Sequence, residues 1–223
     1  MKTLAAASVL LLTGAASAQF DLRVTEIWMG NDPGENITDD WFEITNFGDT
    51  AWTASVDGDL YFDDESADFS AADQLFGITT ILPGQTVVFV DTGDLTEWND
   101  FWSTGLPAGT QVGTYAGSGL GQGGDAVALF LDAGFDGVDA GDLFTTEAYP
   151  DAEAFGGRSW DPTLDGGAFS TLGPNNDSNA YASLGPNDAG QFGIASPGTI
   201  APAPGAFALA GIASLTVVRR RRA

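Results

Sequence analysis

The chain has 223 residues, with 31 acidic and seven basic side chains, no histidine and no cysteine. Those absences exclude a Ser-His-Asp triad, the usual zinc sites, thiolate chemistry and disulfide staples, so an enzyme here would have to run on carboxylates alone. Lys2 and Arg219 to Arg222 sit at the two ends, leaving Arg23 and Arg158 to face every carboxylate; such a field repels nucleic acid and anionic surfaces and favours divalent cations or a salt-rich medium.

Residues 1–18 read as a secretory signal peptide, an N-terminal signal helix in the precursor. Lys2 supplies the positive start, residues 4–12 the apolar stretch, and Ala16-Ser17-Ala18 a small-x-small cleavage site with the cut after Ala18. Residues 19–198 then form a body long enough for one domain with its own core. Its first strand is expected at residues 22–28, where Ile27 falls out of the alternation set by Leu22 and Val24 and implies a bulge near Glu26. A clearer strand follows at residues 41–46, with Phe42 and Ile44 inward and Glu43 and Thr45 outward. Leu60-Tyr61-Phe62 is a short strand among Asp57, Asp59, Asp63 and Asp64. The turn at Leu82-Pro83-Gly84-Gln85 launches residues 86–91, whose unbroken apolar run implies cover on both faces.

Residues 94–102 are the one good helix, with Asp94 as N-cap, Glu97 three positions on, and Leu95, Trp98 and Trp102 in a stripe. Further strands are expected at residues 111–115, at 126–131 with Val127, Leu129 and Leu131 on one face, and at 143–149. After Pro150 the chain turns rich in Gly, Pro, Asn, Asp and Ser, which reads as an irregular closing segment. Many short strands and turns with little helical periodicity predict an all-β sandwich carrying one short helical insertion.

Five constellations bear on chemistry. Residues 119–124 match G-x-G-x-x-G, but a strand follows where a dinucleotide site needs a helix, so a glycine-rich connection is the expectation. Asp132, Asp136, Asp139 and Asp142 stand among glycines and are the candidate calcium ligands, a solvated acidic hairpin being the alternative. Asp57, Asp59, Asp63, Asp64, Glu65 and Asp68 make a second acidic cluster of the same kind. Glu26 and Glu43, both on strands, are the least loop-like pair for a carboxylate hydrolase. The six tryptophans, Trp28, Trp41, Trp52, Trp98, Trp102 and Trp160, are either core or a platform for stacking on sugars.

The last stretch, residues 199–223, is built from three different pieces. Pro202, Ala203, Pro204 and Gly205 break structure, residues 206–218 carry neither charge nor proline, and Arg219, Arg220, Arg221 and Arg222 close the chain. An apolar run with a basic C-terminal flank predicts a C-terminal transmembrane helix with its arginines on the cytoplasmic side. The uninterrupted part is shorter than the roughly 20 residues a spanning helix needs. This tail resembles the PEP-CTERM sorting signals of bacteria that have an outer membrane, with Ala203 where that family has a central Glu. The resemblance implies recognition by an exosortase-type membrane protease and delivery of the body to the cell surface.

The order of motifs in the body, from Val24-Thr25-Glu26-Ile27 through Asp40-Trp41-Phe42-Glu43-Ile44-Thr45-Asn46, Leu82-Pro83-Gly84-Gln85, Gly124-Asp125-Ala126-Val127-Ala128-Leu129 and residues 132–139 to Ser196-Pro197-Gly198, resembles the lamin tail domain. That resemblance implies an immunoglobulin-like β-sandwich and a binding or structural module without catalytic residues. The expectation is therefore an exported, surface-anchored, non-enzymatic structural or adhesion protein of a bacterial envelope or extracellular matrix, with calcium as a candidate bridging ion. Its expected partners are the membrane, the processing enzyme, and a surface polysaccharide or matrix protein, with no nucleic acid. The alternative is a secreted carbohydrate-binding module or a carboxylate-based glycoside hydrolase.

Overall fold

A computed structural model of the chain describes residues 19–30, 39–164, 166–172, 180–182 and 192–199. The expected signal peptide with Ala18, and the sorting segment from residue 200 onward with Pro202 to Gly205 and Arg219 to Arg222, lie outside the described residues. Among the described residues no helix is long and apolar enough to cross a membrane.

The fold is all-β in character, as the short alternating runs predict. In chain order it comprises β1 (Leu22–Trp28), β2 (Trp41–Asn46), β3 (Trp52–Thr53), a one-turn helix α1 (Ala54–Asp57), β4 (Asp59–Asp63), β5 (Asp73–Gln74), β6 (Thr80–Ile81) and β7 (Thr86–Asp91). Helix α2 (Thr96–Trp102), β8 (Gln111–Tyr115), β9 (Asp125–Asp132) and β10 (Leu143–Tyr149) follow. After a 3-10 turn at Glu153–Phe155 come the two-residue strands β11 (Trp160–Asp161), β12 (Ala168–Phe169), β13 (Tyr181–Ala182) and β14 (Ile194–Ala195).

Two sheets carry most of the strands: a six-stranded one ordered β12-β11-β1-β2-β7-β8 and a four-stranded one ordered β10-β9-β4-β5. Alternate side chains put Leu22, Val24, Ile27, Phe42, Ile44, Val87 and Phe89 of the first against Leu60, Phe62, Val127 and Leu129 of the second in a single core. Phe42 meets Phe62 across it at a ring-centroid distance of 5.0 Å. Each such side chain removed from water contributes about 1.5–3 kcal/mol, so this seam drives the pairing of the sheets.

The outer face of the six-stranded sheet is also covered. Strands β7 and β8 run parallel, which demands a crossover rather than a hairpin. Helix α2 lies in that crossover. Its Trp98 and Trp102, one turn apart, pack with Trp28 and Trp41 of β1 and β2 and with Val88 and Val90 of β7. Trp41 is flanked edge-on by Trp98 at 6.4 Å and Trp102 at 5.9 Å, the aromatic geometry favoured by ring quadrupoles. The unbroken apolar run in β7 thus reflects cover on both faces. Asp94 acts one step earlier than a helix cap: its Oδ1 accepts from the Thr96 amide at 2.9 Å.

The bulge expected near Glu26 is present as a register shift between Val24 and Glu26. It turns Thr25 and Glu26 to the same outer face and returns Ile27 to the inter-sheet core. The described part of the closing segment pairs with the sheet in a way its composition does not suggest. Strand β11 extends the large sheet by pairing Trp160 with Ile27, β12 pairs with β11, and Ile194 bridges to Arg158. Two-residue strands show no periodicity, so the sequence could not announce them.

Candidate functional site

The carboxylates of Glu26 and Glu43 meet on the outer face of the large sheet. They are direct register partners on β1 and β2 and are 1% and 0% exposed. Glu43 and Thr45 face outward from the inter-sheet core, as their alternation with Phe42 and Ile44 predicts, but into a second, covered layer rather than into water. Its cover here is the segment 192–199. Glu26 Oε1 accepts from the Ser196 amide at 2.8 Å and from the hydroxyls of Ser159 and Ser196 at 2.5 and 3.1 Å. Glu43 Oε2 accepts from the Gly198 amide at 2.6 Å, and its Oε1 from the Thr25 hydroxyl at 2.5 Å. A run of hydroxyls, Thr25 to Thr45 at 3.0 Å and Thr45 to Thr86 at 2.8 Å, carries the polar layer across three strands.

Burial pushes the Glu26 carboxyl up to about 7, against the pull of its Ser159 and Ser196 donors, with Asp161 adding to the rise. Burial, and then the charge of Glu26, hold Glu43 well above the usual carboxylate range. Glu26 Oε2 has no hydrogen-bond partner among the described residues. A bare charge on such an oxygen would be costly, so the pair retains at least one proton. A glycosidase pair needs room between its acids for a sugar and a water. These two are instead sealed by main chain.

A second group of acids gathers where the sheets end beside residues 117–125. Strand registers continue Phe42 opposite Phe89 outward to Asp40 and Asp91, and Asp91 pairs with Tyr115. Asp40 and Asp91 therefore share the inward parity of the core phenylalanines. Burial raises Asp40 to about 7, with the charges of Asp91, Asp39 and Asp125 adding to it. Burial raises Asp91 to about 6, helped by Asp39 and Asp73. The Tyr115 hydroxyl is buried among them without a hydrogen-bond partner among the described residues.

The glycine-rich loop spends its amides on these same carboxylates. Ser118 donates to Asp73 at 3.0 Å, Leu120 to Asp40 at 2.6 Å and Gly121 to Asp125 at 2.6 Å. Gly117 has φ of +133°, and a Cβ there would run into the Asp73 carboxylate, which accounts for a glycine at that position. The G-x-G-x-x-G match is thus a connector whose N–H groups already serve the protein's own anions, and strand β9 follows it.

Asp132 ends β9, and Asp136, Asp139 and Asp142 lie in the connection from it to β10. Asp132 is buried, and its two oxygens accept from the amides of Asp136 at 3.2 Å and Gly137 at 3.1 Å. Asp139 accepts from Gly141 at 2.6 Å, and Asp142 from Asp139 at 2.8 Å. These bonds close the turn. Among the described residues no group of three or more carboxylates is gathered to hold a metal ion. In the second acidic cluster, Asp63 is likewise drawn inward, receiving Ser66 Oγ at 2.7 Å and the Asp68 amide at 2.6 Å.

Five of the six tryptophans, Trp28, Trp41, Trp52, Trp98 and Trp102, are at most 2% exposed and belong to the cores. Trp160 alone of the six reaches the surface in part. It stands edge-on to Phe169 at 5.2 Å, and Phe169 stacks on Phe155 at 4.2 Å. Sequence reasoning singled out Glu26 and Glu43 but missed Ser159, which carries no motif, and read Ser196 only as part of the closing Ser196-Pro197-Gly198 turn, not as a donor to Glu26. It also missed Asp40 and Asp91, although each stands two residues from a core phenylalanine and so on the inward face of its strand.

Compared with known proteins, the chain matches no family model, no curated protein and no solved structure.

Proposed function

We propose that this chain is an exported, surface-anchored, non-enzymatic structural or adhesion protein of a bacterial envelope or extracellular matrix. Residues 19–198 serve as an immunoglobulin-like, lamin-tail-like β-sandwich, and residues 199–223 as the sorting and membrane segment. The observation that carries the non-enzymatic part is the sealing of Glu26 and Glu43 beneath residues 192–199. The strand-borne acids best suited to hydrolysis are engaged in holding the chain together. The cell-surface part rests on the charge pattern: a small-x-small site ending at Ala18, an acidic body, and Arg219 to Arg222 after an apolar run.

Cell fractionation with mass spectrometry of the native termini tests this reading. An envelope or extracellular product beginning at Gln19 is the expected result, with an end near Gly205 if the processing enzyme acts or at Ala223 if the tail is retained. Full-length chain free in the cytosol, with Met1 and Arg222 peptides both present, would refute it. Calcium bridging belongs to the same proposal and is read from thermal melts: an unchanged Tm on adding calcium to the intact chain removes it.

The aromatic trio Trp160, Phe169 and Phe155 favours one second reading, a carbohydrate-binding module. Binding of a glycan at about micromolar strength, lost in Trp160→Ala, would support that reading over the first.

A further inference from the structure

We propose that Glu26 and Glu43 form a proton-operated latch that holds residues 192–199 against the large sheet and releases them when both carboxyls ionise. The two acids are opposite one another across β1 and β2, and the segment above them is fixed by the amides of Ser196 and Gly198 donating to them. Beyond its pairing with β13, the segment's backbone is tied beside the large sheet at one residue, Ile194, which accepts from the Ser159 amide at 3.1 Å and donates to the Gly157 carbonyl at 2.7 Å. Gly193 presses on the indoles below, where a Cβ would come within 2.8 Å of both Trp28 and Trp102. Gly198 has φ of +80°, and a Cβ there would meet Thr110 Oγ1 at 2.6 Å. The segment therefore seats in one pose.

The groups facing the pair make the latch responsive to alkali. Glu26 comes from β1, Glu43 from β2 and Asp161 from β11, and all three are acids. Residues 192–199 carry no titratable side chain. Two bases lie nearest in the chain: Arg23 on β1, which is paired with Asp21, and Arg158, whose backbone bridges to Ile194. With a proton on the pair, its remaining oxygens accept from the segment's amides and hydroxyls. Loss of that proton sets two like charges face to face without water. Admitting water relieves them, and the piece of cover with the least sheet pairing is the one that lifts.

The sign follows from the direction of the shifts. Both carboxyls are raised by burial, so the closed form binds protons more tightly than the open one and is favoured at low pH. Rising pH removes the protons of the pair in turn, Glu26 at about 7 and Glu43 from a carboxyl also held well above its ordinary range, and the segment lifts once both are gone. Residues 192–199 lead into the stretch read above as the sorting segment, so on that reading the latch sets how closely the body is held to its tail; the latch itself does not depend on it.

Amide hydrogen exchange on the intact chain tests this, corrected for the intrinsic pH dependence of exchange. Between about pH 6 and pH 8.5, peptides covering residues 192–199 should lose about tenfold or more in protection while β7 peptides keep theirs. Glu43→Gln should retain the protection at the higher pH. Acrylamide quenching of tryptophan fluorescence supplies a variant-free readout, because lifting the segment uncovers Trp28 and Trp102. Protection and quenching in the wild type that stay flat relative to β7 across that range would overturn the proposal. So would a folded Glu43→Gln that loses protection with pH just as the wild type does.

Discussion

Asp40→Asn should stabilise the protein above neutral pH. Burial and the neighbouring charges of Asp91, Asp39 and Asp125 raise this carboxyl from 3.8 to about 7 in the folded chain. At about 1.4 kcal/mol per pH unit, a shift of just over three units is worth about 4 kcal/mol, an upper value because Asp40 keeps some contact with solvent. A raised folded-state pKa means stability that is complete below the unfolded value and lost as pH climbs through the folded one. Wild type and variant should therefore be equally stable near pH 4, diverge between about pH 4 and 7, and stay apart above that. Asparagine keeps an oxygen to accept the Leu120 amide, so the native bond survives the change. Urea unfolding of both proteins across this range measures the gap directly. The difference between the two curves removes the shared contribution of the other acids, apart from those coupled to Asp40. A variant less stable than wild type at pH 8 would refute the reasoning, since it would mean the ionised carboxylate gains more from Leu120 than it loses by burial.

Trp98→Ala should cost about 3–5 kcal/mol and weaken the near-UV circular dichroism of the tryptophan cluster, as seen by urea unfolding and spectroscopy. Gly117→Ala should cost about 1–3 kcal/mol because backbone and side chain both oppose it. Gly84→Ala, with φ of +72° and nothing within 4 Å of the added Cβ, should cost no more than about 1–2 kcal/mol. Equal losses in the two, by thermal melts, would show that the Asp73 approach is unimportant. Ser159→Ala removes the strongest donor holding Glu26 down, so the alkaline loss of stability attributable to Glu26 should move to higher pH, measured by unfolding at a series of pH values.

Runs of apolar residues between turn signals disclosed the seven longest strands and the one helix of more than a turn among the described residues; β9 buries an alternating face and β7 is covered on both, whereas β10 buries little beyond Tyr149. The bulge at Thr25 was legible too, from the misplaced Ile27. Periodicity could say that Glu43 turns away from Phe42, but not that main chain from more than 150 residues later would lie over it. Polar residues in a strand ordinarily mark the solvent side; here they mark a second interior layer, and a local pattern cannot tell the two apart. The carboxylates suffer from the same blindness. Asp40, Asp63 and Asp132 look like surface charge in the sequence, yet each is drawn inward to accept backbone amides from loops that need acceptors.

The contact of Ser196 and Gly198 with β1 and β2 also fixes a route for mechanical load. A pull on the chain beyond residue 199 does not reach the β13–β14 pair first. It is taken up in order by the Gly198 bond to Glu43 and the Ser196 bonds to Glu26, and so enters two strands in the interior of the six-stranded sheet, flanked by β11 and β7. Tension applied at that end is spread over hydrogen-bonded neighbours on both sides, where an edge strand would unzip one bond at a time.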